Sequence, residues 1–239
     1  VIFQQKSLEG NNLRSYIWNS GVFNQDLRTN NTPGLEWPIG SGKFLIFTTG
    51  LSIGGYVNNE LRLGIASYRG EYRPGYCINS QFYTDSRFKH YKVKRGDNYI
   101  INPDWLNWGL MVPFGAPYND VNNNGSYDYF VDTPGVKSAS ETVFICITDG
   151  DSLNHTPSEG FGGGTDPLYA EVHLTAWCYD NPGYQDMQFM KWVVINRNTQ
   201  LWDSTIFTIV CDPDLGDAED DYIGCDSSRN LGYCYNADN

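Results

Sequence analysis

Residues 170–179 read AEVHLTAWCY, and they alternate without a break. Ala170, Val172, Leu174, Ala176 and Cys178 fall on one side, and Glu171, His173, Thr175, Trp177 and Tyr179 on the other. A period of two with an apolar side and a more polar side predicts a half-buried β-strand. Downstream, MQFMKWVVIN (187–196) is apolar on both sides, as a strand inside a sheet would be. The turn NRNTQ (196–200) leads into LWDSTIFTIV (201–210), so a hairpin is expected there. Further strands are expected at 13–19, 43–53, 60–67 and 142–148. No window holds a helical period. The expectation is an all-β chain, a β-sandwich of the Ig-like or jelly-roll-like kind occupying residues 1–239 as one domain. Its long loops are expected at about 69–90, 102–141 and 149–167, with 102–141 the main insertion.

Composition agrees with that pattern. Aromatic residues reach 15% of the 239 positions and charged residues only 18%, with 25 glycines. Such a mixture favours strands and turns over helices. The formal net charge is −12. A surface of that sign repels phosphate backbones and anionic lipid heads, which argues against nucleic acid and membrane surfaces and in favour of divalent cations. No apolar run has the length of a membrane span, so no membrane insertion is expected. The chain begins at Val1 with no basic and apolar leader, which fits a removed signal peptide. The six cysteines support export, because none has a zinc-ligand spacing. Cys225 and Cys234 flank a short turn-rich segment and are the expected disulfide pair; Cys146 and Cys178 read equally well as buried free thiols.

Chemistry concentrates in YNDVNNNGSYDYFVDTPG (118–135). Asp120, Asn122 and Asn124 occupy positions one, three and five of a D-x-[DN]-x-[DN]-G calcium loop. The Ser126 carbonyl would serve as position seven and Asp128 as position nine. Position twelve, where an EF-hand needs a bidentate Glu, is Val131, and Asp132 stands one residue later. No helices are expected on either side, so the expectation is a calcium loop embedded in β structure and not an EF-hand, the alternative being a solvated Asn-rich turn. A second acidic run, CDPDLGDAEDDYIGCD, contributes Asp212, Asp214 and Asp217 as further candidate Ca²⁺ ligands, because so many carboxylates repel one another unless neutralised.

Catalytic signals are sparse. His155 lies among Asp149, Asp151 and Glu159 beside GFGGG, where paired carboxylates could be drawn. There is, however, no nucleophile elbow, no HExxH and no phosphate-cradling loop with Lys. The glycine run reads as a flexible surface loop, and His173 reads as a hydrogen-bonded residue of the strand's polar side. No enzyme is expected. The aromatic residues Trp105, Trp108, Tyr118, Tyr127 and Tyr129 around the calcium loop leave two alternatives open. They either pin the long loop to the sandwich or form a platform for surface glycans.

Four blocks of this chain resemble the N-terminal region of large secreted proteins exported by the type IX route in Bacteroidetes and Ignavibacteria. These are GNNLRSYIWNSGVFNQDLRTNNTPGLEWPIGSGK (10–43), NPDWLNWGLMVPFGAPYNDVNNNGSYDYFVDTPG (102–135), SEGFGGGTDPLYAEVHLTAWCYD (158–180) and DPDLGDAEDDYIGCDSSRNLGYCYN (212–236). The resemblance implies an extracellular or cell-surface location and supports calcium at Asp120, Asn122, Asn124 and Asp128. Proteins of that kind continue into further modules and a sorting domain, whereas this chain stops at Asn239. Two alternatives follow: the chain is part of a longer polypeptide, or, without an anchor of its own, it is expected to associate with copies of itself into filaments or a surface layer. The extended segments VIFQQKSLEG and NLGYCYNADN are expected to add to a neighbour's sheet.

Overall fold

The computed structural model describes residues 4–28 and 32–236. Strand content is 44% and helix content 7%, so the all-β expectation holds. The alternating segment forms the strand Ala170–Cys178. It pairs antiparallel with Glu141–Thr148 on one side and Gln188–Asn196 on the other. Tyr91–Lys94 and Arg73–Pro74 complete a five-stranded sheet. A seven-stranded sheet is built on the long strand Phe44–Val57, which receives Asp203–Pro213 along one side. Its other side receives Glu60–Ile65 and Val22–Phe23, and Ser15–Trp18 and Gln5–Leu8 follow outward from the latter. Asn58 and Asn59 join Phe44–Val57 to Glu60–Ile65, both at positive φ (53° and 65°). Two such residues give the turn whose twist matches a tight hairpin.

The two sheets share one apolar cluster. Leu8, Ile17, Val22, Leu51, Ile53 and Val57 meet Val143, Ile145, Ile147, Ala170, Val172 and Leu174, all buried. Each such aliphatic side chain contributes about 1.5–3 kcal/mol when fully buried. The inward set of 170–179 is therefore as the period predicts.

The opposite side of that strand corrects the expectation of a half-buried strand. Glu171, His173 and Thr175 are buried too. A second cluster covers this face of the sheet, formed by Phe144 and Cys146 with Phe88, Tyr91, Val93, Trp108, Met111 and Ala116. Its cover comes from the long insertion, which contains a short helix, Pro103–Asn107, where none was expected. Asn102 starts the helix by accepting the Asp104 N–H at 2.8 Å, and Pro103 suits the first helical position. The buried Asp104 carboxylate then bonds Lys89 Nζ at 2.7 Å and the Lys92 N–H at 3.1 Å. Those contacts dock the helix on the sheet.

The expected hairpin between 187–196 and 201–210 does not form. Gln188–Asn196 pairs only with Ala170–Cys178, and Asp203–Pro213 only with Phe44–Val57. The segment after Asn196 carries the chain from one sheet to the other, with the Arg197 N–H bonded to the Tyr169 carbonyl and the Trp202 indole to the Leu168 carbonyl. In the terminal segments, Gln5–Leu8 lies within the seven-stranded sheet, and Leu231–Asn236 pairs with Asp221–Asp226. Residues 1–3 and 237–239 of those segments lie outside the described residues.

Candidate functional site

The 120–132 loop is closed at its base by a two-residue ladder, Tyr118 opposite Pro134 and Asn119 opposite Thr133. Within it the polar side chains fold back on the backbone. Asp120 accepts the N–H groups of Asn124 at 3.1 Å and Gly125 at 2.8 Å, one on each oxygen. Asn122 Oδ1 accepts the Asn124 N–H, and Asn124 Oδ1 accepts that of Ser126. Asn123 and Gly125 lie at φ 56° and 76°, which turns the chain tightly around Asp120. Asp132 is buried and bridges the two ends, accepting from Val121 at 2.9 Å and Asp128 at 2.7 Å. Asp128 in turn accepts the Phe130 N–H.

Every side-chain donor in this set is oxygen, the chemistry of a hard cation, and each accepting oxygen retains a second lone pair. Among the described residues, the carboxylates of Asp120, Asp128 and Asp132 do not all approach within 4.8 Å of one another. Ser126 is exposed at the loop tip.

Three of the aromatic side chains around the loop spend their polar ends on backbone carbonyls of the 102–141 insertion. Trp105 donates to the Tyr129 carbonyl at 3.1 Å, Tyr127 to the Trp105 carbonyl at 2.7 Å and Trp108 to the Pro117 carbonyl at 2.8 Å. Trp108 is fully buried, and Trp105, Tyr118, Tyr127 and Tyr129 are half-buried. Burial, followed by the charges of Asp132 and Asp128, pushes the Tyr127 hydroxyl well above its ordinary value. These rings pin the loop to the sheet.

In the second acidic run the candidate ligands take different partners. Asp212, on the Asp203–Pro213 strand, accepts the Tyr68 hydroxyl at 2.7 Å. Asp214 is raised by burial and then by the charges of Asp212 and Asp221. Asp217 turns away to accept the Glu219 N–H. Beyond it, Asp221–Asp226 and Leu231–Asn236 form a hairpin in which Cys225 faces Gly232 and Cys234 faces Ile223. All six cysteines are free thiols, and the expected Cys225–Cys234 bridge is absent. The register explains this: the two are diagonal neighbours, about 7–8 Å apart between Cα atoms, beyond ordinary disulfide reach.

A buried polar hub was not anticipated as a unit. Glu159 sits inside the 67–70 turn, accepting the N–H groups of Ser67, Tyr68 (3.1 Å), Arg69 (3.1 Å) and Gly70 (2.9 Å), together with the Ser67 hydroxyl. Gly70 is at φ 78°, and a Cβ there would lie 2.0 Å from the Ser20 carbonyl oxygen. Glu71 accepts from Thr156, Gly164 and Ile65. Asp149 accepts from Leu168 at 2.7 Å and Ala170 at 2.6 Å. His155 lies between them, Nε2 at 2.7 Å from the Asp149 carbonyl oxygen and Nδ1 at 3.5 Å from Glu71 Oε2. Asp151 pairs with Arg73 instead. Burial raises Asp149 to about 6 and raises Glu159 above its ordinary value. These carboxylates hold two long loops together by their backbones.

Cys146, Glu171 and His173 present ligand atoms within 4.8 Å of one another, all buried. Cys146 and His173 face each other across the strand pair. The Glu171 carboxylate is already engaged by both Arg197 nitrogens (3.2 and 2.9 Å), by His173 Nε2 at 2.9 Å and by the Cys77 N–H. The Cys146 thiol donates to the Gly75 carbonyl and is pushed up by burial. The cluster is a closed network.

Compared with protein-family models, curated proteins and solved structures, the chain finds no match. No helix among the described residues is long and apolar enough to cross a membrane.

Proposed function

We propose that this chain is a non-enzymatic, extracellular, calcium-binding structural or adhesive protein of a cell surface. It is a β-sandwich of the Ig-like or jelly-roll-like kind that works in association with copies of itself, as in filaments or a surface layer. The observation that carries the calcium part is the 120–132 loop. Alternating Asp120, Asn122 and Asn124 are wound around a left-handed Asn123 and Gly125, and a buried Asp132 anchors both ends. The ligand set comprises Asp120, Asn122, Asn124, the Ser126 carbonyl, Asp128 and Asp132. Asp212, Asp214 and Asp217 form a looser second candidate. The non-enzymatic part is supported by the hub, whose carboxylates are occupied by backbone N–H groups. Export is supported by the family resemblance, since the free cysteines withdraw the disulfide argument.

The alternative is a calcium-dependent carbohydrate-binding module of a larger secreted enzyme. Its support lies away from the loop, in a groove of about 860 Å³ lined by Trp37, Phe44 and Tyr235 with Lys43, Asp214 and Asn236 at its polar edges. Exposed rings beside polar groups suit pyranose faces. Glycan-array binding abolished by chelator would favour it.

Thermal melting with and without chelator tests the main reading. A ligand at about a hundred times its dissociation constant stabilises by about 2.7 kcal/mol. At about 2–4 °C per kcal/mol for a chain of this size, EGTA should lower the midpoint by several degrees. Asp120→Ala should reproduce most of that loss in calcium. An unchanged melt in excess EGTA would overturn the calcium assignment.

A further inference from the structure

The Asp203–Pro213 strand is 11 residues long and, among the described residues, ends its sheet and pairs on one side only. Its free side presents unpaired backbone donors and acceptors, a template for another strand unless something blocks it. Blocking devices are present on the other outer strands of the two large sheets. Gln5–Leu8 is short and carries Lys6, and Glu60–Ile65 carries Arg62. Tyr91–Lys94 carries Lys92 and Lys94, and Gln188–Asn196 carries Lys191 at its centre. The Asp203–Pro213 strand has no charge from Ser204 to Cys211.

Apolar side chains are exposed on both of its faces, Ile206 at 67% on one and Phe207 at 55% and Ile209 at 48% on the other. Its register breaks only between Asp203 and Ile206 and between Asp212 and Pro213, which leaves a regular stretch between the two breaks. An edge that is long, regular, uncharged and apolar on both faces is unstable in water while it remains uncovered.

We propose that this edge pairs with the same strand of a second copy, antiparallel and about a two-fold axis. The proposal rests on the self-association in the reading above and names the surface that carries it. Charge selects the occupant. The partner strand must be uncharged opposite Ser204–Cys211 and long enough to span those eight residues. Among the described edge strands only this one meets both conditions, since Gln188–Asn196 carries Lys191 and the uncharged Leu231–Asn236 has six residues. With Thr208 on the axis, Phe207 faces Ile209 and Ile206 faces Val210 of the second copy. Asp203 then lies opposite Pro213, and Asp212 opposite Ser204. Sliding by one residue would set Asp203 against Asp212, two like charges in direct opposition, which disfavours that register. The contact is isologous and closes on itself. Any longer assembly therefore grows by a second surface, with this dimer as its unit.

Sedimentation equilibrium of the full chain in calcium tests the pairing. From low to high micromolar concentration the mass should rise from one to two chains of 27.0 kDa. Ile209→Lys and Phe207→Lys should each hold it at one chain with an unchanged thermal melt, because both side chains are exposed. Leu153→Lys, on an exposed loop turn, should still dimerise. A wild-type mass of one chain throughout would overturn both this proposal and the self-association it rests on. Association that persists in Ile209→Lys and Phe207→Lys would overturn the edge pairing alone, leaving self-association through another surface.

Discussion

Replacing Glu159 by alanine is expected to destabilise the protein by about 3–5 kcal/mol, read as a lower denaturant midpoint in urea unfolding. The size follows from what the carboxylate holds. Four backbone N–H groups and one hydroxyl of residues 67–70 converge on it. Without it the buried Ser67 and Gly70 N–H groups lose their acceptor, and the part-buried Tyr68 and Arg69 N–H groups must turn to water. The Ser67 hydroxyl keeps the Glu159 carbonyl oxygen. Each buried donor left unsatisfied costs about 1–3 kcal/mol. Partial collapse and water entry keep the total below the simple sum. Glu159→Gln retains one acceptor oxygen and should lose roughly half as much. A loss under about 1 kcal/mol for Glu159→Ala would mean that the turn does not depend on this side chain.

Acidification is expected to produce the second large effect, through His90. The ring is buried, Nε2 has no partner, and burial, followed by the charge of Lys6, lowers its value from 6.5 to about 3. The unfolded chain therefore binds a proton between pH 6.5 and 3 that the folded chain refuses. Stability contributed by neutral His90 is full above pH 6.5 and is lost as pH falls toward 3. A shift of that size corresponds to a loss on the order of 5 kcal/mol across the window. His90→Phe, similar in shape and unable to titrate, should flatten this part of the profile. Parallel wild-type and His90→Phe profiles between pH 6.5 and 3 would contradict the assignment.

Much of the framework was legible in local pattern, and the reason is periodicity. Ala170–Cys178 and Glu141–Thr148 sit where alternation and apolar runs place them. What was not legible depends on partners distant in sequence. Glu171, His173 and Thr175 looked solvent-facing because what covers that face of the sheet, such as Phe114 against the His173 ring, comes from an irregular run with no period to read. NRNTQ looked like a hairpin turn, and nothing local states that the next strand joins the other sheet. Asp149, His155 and Glu159 were legible as neighbours in sequence but their partners were not, since Glu159 grips amides some ninety positions earlier. Cys225 and Cys234 have a plausible spacing, but strand register sets Cys225 against Gly232. The 120–132 loop was legible in outline because its donors are local and sequential. Only the structure shows Asp132 buried as the brace between its two ends.

Calorimetric titration of Ca²⁺ into chelator-stripped protein tests the central claim most directly. Asp120 is only partly buried and its hydrogen bonds stay within the loop, so Asp120→Ala should remain folded for the comparison. The wild-type chain should show saturable calcium binding, with affinity weakened at least about tenfold by Asp120→Ala. No binding heat in the wild type, confirmed by an unchanged melt, or equal affinity in Asp120→Ala, would contradict calcium at this loop.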